Sequence, residues 1–177
     1  MRRGGIVFGY GSLIFRPDIE FKSREWVRVS DWSRRFYQGS VDHRGVPGAP
    51  GRVATLLPQP GSHCWGVAYH VEEAVYGAML ERLDIREVGG YDRRAVTVQR
   101  RDGTALQDVL MYLATPDNPG YLGAAPIGAM AAQILRARGP SGENREYLYR
   151  LAAALRAEAL EDPHVFGLEQ AVRDLEG

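Results

Sequence analysis

Residues 5–15 read GIVFGYGSLIF, an apolar stretch that stops at Gly-Tyr-Gly-Ser and then turns apolar again. Ile6, Val7 and Phe8 are β-branched or aromatic, which predicts a strand over residues 5–9. The glycines after it allow close backbone approach and positive φ. Successive N–H groups in such a turn form an anion-binding concavity, so the loop is suited to hold a carboxylate without a charged side chain. A plain β-turn explains the same residues, and the loop alone leaves both readings open. The common phosphate loops do not match. A dinucleotide fingerprint needs a third glycine and then a helix, and Pro17 argues against a helix soon after this loop. No lysine follows to make a P-loop. Ser12 stands in Gly-Tyr-Gly-Ser-Leu, without the Gly-x-Ser-x-Gly context or the helix of a nucleophile elbow.

Outward from this loop, the first two-thirds of the chain read as strands and turns. EWVRVSDW (25–32) and RRFYQGS (34–40) predict two strands, and VDHRGVPGAPG (41–51) a loop rich in glycine and proline. RVATLL (52–57) and CWGVAYHV (64–71) follow as strands, separated by the turn PQPGS (58–62). The period then changes. Val75, Met79 and Leu83, with Ala78 beside them, form a helical stripe over residues 72–87. Glu72 and Glu73 suit its N-terminus, and Gly89-Gly90 stop it. DRRAVTVQR (92–100) and DVLMYLA (108–114) read as a hairpin through Asp102-Gly103. Helices are predicted from Pro126 to Gly139, from an N-cap at Ser141 through residues 143–160, and over 164–175. Strands first, one helix inserted and helices last is an α+β pattern with a mostly antiparallel, barrel-like sheet. No internal repeat or linker interrupts it, so residues 1–177 are expected to form a single domain.

Composition narrows the function. Lys+Arg and Asp+Glu both total 22, and this neutrality argues against nucleic acid or an anionic membrane as a charge-driven partner. The basic residues Arg93, Arg94, Arg100 and Arg101, interleaved with Val96 and Val98, read as a strand with a charged outer face. The single cysteine, Cys64, excludes an intramolecular disulfide and reads as a small buried apolar residue. With no signal-like N-terminus and no run near the length of a membrane span, a soluble cytosolic protein is expected. His43, His63, His70 and His164 show no metal-ligand spacing, so no metal is expected.

Two stretches carry candidate chemistry. Glu87, in LDIREVGGY (83–91), directly precedes the double-glycine stop. A carboxylate at the negative end of a helix dipole, beside Ile85 and Val88, has its pKa raised if buried, as a general base near neutral pH requires. An exposed glutamate paired with Arg82 or Arg86 fits the same position. Asp42, His43, Arg44 and Arg52 gather in the Gly/Pro loop. Asp42 and Arg44 are candidates for contacting an ammonium or a carboxylate of a ligand, or for pairing with each other. Tyr147, near the start of a helix, reads either as reaching a pocket or as core.

Taken together, VFGYGSLIF, RRFYQGSVDHRGVPGAPGRV, WGVAYHV, LDIREVGGY, DNPGYLGAAP and GPSGENREYL resemble, in order and spacing, the ChaC-like γ-glutamylcyclotransferases, and most of all the glutathione-specific branch. The resemblance runs from about residue 5 to residue 170. It implies a γ-glutamyl cyclotransferase fold, a small mixed barrel-like sheet surrounded by helices. It implies cyclisation of the γ-glutamyl unit of glutathione to 5-oxoproline with release of Cys-Gly, without metal or organic cofactor. The family's Tyr-Gly-Ser-Leu loop maps onto Tyr10, Gly11, Ser12 and Leu13, which would bind the γ-glutamyl part, and its catalytic glutamate maps onto Glu87. Phe15 and Tyr37 stand where tryptophan is common, and Val41 where threonine is common, in the patch expected to border the substrate. The alternatives are a cyclotransferase for other γ-glutamyl amines or peptides, and a non-catalytic binding module of the same fold.

Overall fold

The computed structural model describes residues 4–86 and 90–177. The elements run β1 (Gly5–Gly9), α1 (Ser12–Phe15), β2 (Ser23–Ser40), β3 (Gly51–Val71), α2 (Glu73–Arg86), β4 (Tyr91–Arg100), β5 (Ala105–Ala114), α3 (Ile127–Arg136), β6 (Arg138–Gly139), β7 (Gly142–Glu143), α4 (Asn144–Ala157) and α5 (Pro163–Glu176). Five strands close a barrel in the order β1-β3-β2-β4-β5. The sheet is mixed, since β1 runs antiparallel to β3, with Val7 opposite Tyr69, and parallel to β5, with Ile6 opposite Val109. No helix among the described residues is long and apolar enough to cross a membrane.

The chain forms two compact units, Met1–Ser33 with Leu56–Pro119, and Arg34–Thr55 with Gly120–Gly177. In the first, Val7, Val27, Val98, Val109 and Met111 are fully buried. Val27 and Val29 point inward while Trp26 and Arg28 between and beside them stay half-exposed, the period-2 alternation of a strand with one buried face. Arg93 and Arg94 lie exposed on β4, as the interleaved charges predicted. Cys64 is buried. On α2, Met79 and Leu83 are buried and Val75 half-buried, but Ala78 is exposed; Tyr76 takes its place on the inner face. Its ring occupies the space where a Cβ on Gly5 would stand, about 2 Å away (1.9 Å), which is why that strand begins with glycine.

In the strands and the glycine loop, three expectations change. The pairs of strands predicted at 25–40 and 52–71 are single long strands. Asp31 and Gly61 stand within these strands with φ of 65° and 82°, and Asp31 Oδ1 accepts the Gly61 N–H at 2.9 Å. Pro58 and Pro60 are exposed and leave the strand unended. Secondly, the loop at residues 9–11 does lead into a helix, though of one turn only. Pro17 sets its length, because Arg16 before it is pushed out of the helical region, to φ −139°, ψ 72°, where the clash with the proline ring disfavours α. Thirdly, Gly11 has φ −125°, not a positive value. Close approach explains the neighbouring Gly9, where a Cβ would lie 2.7 Å from the Cβ of Leu13.

The second unit packs three helices on one another through Met130, Ala131 and Ile134 of α3, Leu148, Leu151 and Leu155 of α4, and Val165, Leu168 and Val172 of α5. Helix α3 stops at Arg136 rather than Gly139, because Arg138–Gly139 pairs with Gly142–Glu143 as a two-residue ladder. Ser141 does not cap α4. Its N–H donates to the His43 carbonyl at 2.9 Å and its hydroxyl lies 3.1 Å from His43 Nδ1, so its polar groups are used on the 41–51 loop. Helix α5 starts at Pro163, one residue before the predicted 164, with the proline in the first turn and Asp162 accepting the Val165 N–H at 3.1 Å.

Candidate active site

In the first unit, Tyr10 and Gly11 connect β1 to α1, which opens with Ser12 and Leu13. Tyr10 and Gly11 are buried; Ser12 and Leu13 are half-exposed. The Tyr10 hydroxyl donates to the Tyr112 carbonyl of β5 at 2.6 Å. The Tyr69 hydroxyl of β3 donates to the Leu13 carbonyl. Inside the turn, the Ile14 N–H donates to Gly11 O at 3.0 Å and the Arg16 N–H to Ser12 O at 2.7 Å. The loop is thus fixed by backbone bonds and by two phenols, with no charged side chain among these bonds. Burial pushes the Tyr69 hydroxyl above its usual pKa, partly opposed by the nearby Arg24 guanidinium.

Glu87 lies outside the described residues. The helix that leads to it is described through Arg86, and its last turn is tied to the barrel. Asp84 accepts the Tyr112 hydroxyl at 2.7 Å and an Arg93 N–H at 3.2 Å. Tyr112 therefore serves the loop through its carbonyl and α2 through its phenol. Its pKa is pushed up to about 12, first by burial and then by its bond to the Asp84 carboxylate.

In the second unit, Arg44 and Tyr147 come together, and Asp42 does not join them. The Arg44 side chain, 3% exposed, donates to Glu146 Oε2 and to the Glu143 carbonyl, both at 3.0 Å, and its guanidinium lies 5.8 Å from the centre of the Tyr147 ring. Tyr147 is buried, its hydroxyl accepting the Ala54 N–H at 3.2 Å and its ring edge-on to Phe36. Asp42 is exposed, 3.8 Å from His43 Nε2. The mutual Asp42–Arg44 pairing read as one option from the sequence is replaced by Arg44–Glu146.

Beneath this loop lies a hub that sequence reading missed. Arg52 donates from Nε to Gln133 at 2.6 Å and from Nη1 to the carbonyls of Phe36 at 3.0 Å and Gly123 at 2.8 Å. The amide of Asn144, fully buried, brackets the Arg52 backbone, accepting its N–H and donating to its carbonyl, each at 2.8 Å. Burial lowers the Arg52 pKa. The arginine was visible as one of the loop's charges; nothing in its spacing marked it as a buried cation with carbonyl partners. Tyr69 and Tyr112 were likewise visible only as strand aromatics.

The model for the family of ChaC-like proteins matches residues 6–175 of this chain. The chain is 44% identical over 171 residues to the human protein named glutathione-specific gamma-glutamylcyclotransferase 1, covering 94% of this chain and 77% of that one. It is 36% identical over 185 residues to the glutathione-specific gamma-glutamylcyclotransferase of Schizosaccharomyces pombe, covering 94% and 91%. The crystal structure of a yeast gamma-glutamyl cyclotransferase specific to glutathione superposes with a TM-score of 0.91 at 28% identity, over 98% of this chain and 97% of that one. The family model spans nearly the whole chain, and the chain belongs to the ChaC-like family.

Proposed function

We propose that this chain is a glutathione-specific γ-glutamylcyclotransferase, converting glutathione to 5-oxoproline and Cys-Gly. The observation that carries this reading is the likeness, over nearly the full chain, to relatives named for that activity. The substrate supplies its own nucleophile. Its α-amine attacks the δ-carbonyl, a five-membered lactam closes, and the bond to the cysteine nitrogen breaks. The amine is an ammonium near pH 7 and has no lone pair to attack with; of the two protons it sheds in becoming the lactam N–H, one reaches the released amine through solvent, and the other a base must take and return to the departing nitrogen. Glu87 fills that role. Residues Tyr10, Gly11, Ser12 and Leu13 bind the γ-glutamyl part; holding it curled contributes through effective molarity. The rigid fixing of that loop supports this, since preorganisation is what such a gain needs. In the second unit, Asp42 is the exposed candidate for a substrate contact. The buried positions of Arg44 and Tyr147 fit residues that shape the 41–51 loop from below.

N-acetylated glutathione tests the chemistry. Its nitrogen lone pair is delocalised into the acetyl carbonyl, so no Cys-Gly is expected from it even at occupying concentrations. With glutathione itself, mass spectrometry should find 5-oxoproline and not glutamate. Glutamate as the primary product, or cleavage of the acetylated compound, refutes cyclisation. A panel of other γ-glutamyl amines and peptides measures how narrow the specificity is.

A further inference from the structure

Helix α1 is a single turn, too short to persist by its own hydrogen bonds. Its carbonyls need donors from four residues on, and the residue four beyond Leu13 is Pro17, which has no N–H. The missing donor comes from another strand. Tyr69, near the end of β3, is fully buried, and its hydroxyl donates to Leu13 O. The ring is held against Phe21, with centroids 5.0 Å apart. It also approaches Gly9, where a Cβ would stand 3.3 Å from the ring. One side chain thus meets both ends of the loop, at Gly9 and at Leu13.

We infer that Tyr69 is a positioning residue for catalysis, its hydroxyl standing in for the N–H that Pro17 lacks and so fixing the Tyr10–Leu13 loop in the form that binds the γ-glutamyl group. This rests on the proposed role of that loop. It gives a function to the WGVAYHV stretch, which the reaction otherwise leaves unused. The burial of the phenol, which disfavours its ionised form, keeps the proton on the oxygen and the group a donor.

The test is Tyr69→Phe, which removes one oxygen and keeps the ring. Three quantities are measured: KM and kcat for glutathione, the inhibition constant of 5-oxoproline, and amide hydrogen exchange at Ile14 and Arg16. KM and the inhibition constant are expected to rise together by about tenfold, the equivalent of one hydrogen bond, with kcat changed less. Exchange at the two amides should quicken while that of β1 stays slow. Faster exchange with an unchanged inhibition constant makes the phenol a structural pin only, and overturns the inference, as does unchanged exchange. Gly11→Val tests the reading beneath it. If that variant binds both compounds as the wild type does, the loop is not the binding element and the inference falls with it. If Gly11→Val impairs binding and Tyr69→Phe does not, only the role of Tyr69 is lost.

Discussion

Around the glycine loop of the first unit, Tyr10 and Tyr69 hold the backbone by donating to the carbonyls of Tyr112 and Leu13. In the second unit, arginines hold it. Arg34, 1% exposed, meets Asp162 at 2.6 Å; Arg44 meets Glu146; Arg52 spreads over three neutral acceptors. A phenol is neutral well past pH 7, so the first arrangement is insensitive to acid and to salt. A buried guanidinium brings a desolvation cost that its partners must offset, so losing a partner there leaves an uncompensated charge. The contrast teaches where each kind of damage should appear: changes in the first unit should show mainly in binding and chemistry, those in the second mainly in stability.

The largest expected effect tests whether chemistry resides with the first unit. Glu87→Gln keeps the side chain's shape but removes its basicity, and 5-oxoproline release should fall by about 10²–10⁴-fold with an unchanged thermal melt. Near-normal turnover in that folded variant would assign the proton transfer elsewhere. The second test concerns Arg34. Asp162→Ala removes the carboxylate that faces the buried guanidinium and removes the cap of α5, and urea unfolding should show a loss of about 3–5 kcal/mol. A loss below about 1 kcal/mol, the worth of a surface pair, would erase the distinction between the units.

The third test uses pH. His164 accepts the Phe36 N–H at 3.0 Å, which only the neutral ring can do. Burial, first, and then the neighbouring Arg35 depress its pKa from 6.5 to about 4. A depressed pKa means that the folded state resists protonation. The contribution of His164 is therefore complete above pH 6.5 and is lost as pH falls towards 4, a slope worth about 3 kcal/mol in all. The slope of unfolding free energy between these pH values should flatten in His164→Gln. An equal slope in that variant would place the acid sensitivity on other groups. The smallest effect is expected from Tyr10→Phe, which loses one phenol bond, worth about 0.5–1.5 kcal/mol, and the free-energy equivalent of its rise in KM for glutathione should exceed its loss of unfolding free energy. The reverse order would mean that the phenols, like the arginines, serve stability first.

Much of this was legible in order along the chain. The period change after Val71, the Asp102-Gly103 turn and the last helix near 164–175 are local signals, and the structure follows them. The misreadings share one cause. Gly61, Pro58 and Pro60 look like strand ends, yet β3 runs through them; Pro17 looks like a bar to any helix, yet permits one turn. Ser141 looks like a cap, yet serves His43. In each case the tertiary fold supplies what local rules leave out: Gly61, Leu13 and Ser141 find partners distant in sequence, and Pro58 and Pro60 fall where the strand is exposed.

The sequence by itself determined the α+β class, the glycine loop after the first strand and the set of residues matching the family, because periodicity, turn chemistry and motif order reside in neighbouring residues. Only the tertiary structure decided that Tyr69 caps Leu13 across 56 positions, that Arg44 turns to Glu146 rather than Asp42, and that Arg52 and Asn144 join a strand to a helix 92 positions away. A hydrogen bond depends on distance and angle, and spacing along the chain sets neither once the residues lie on different elements. Packing of those elements brings donor and acceptor together.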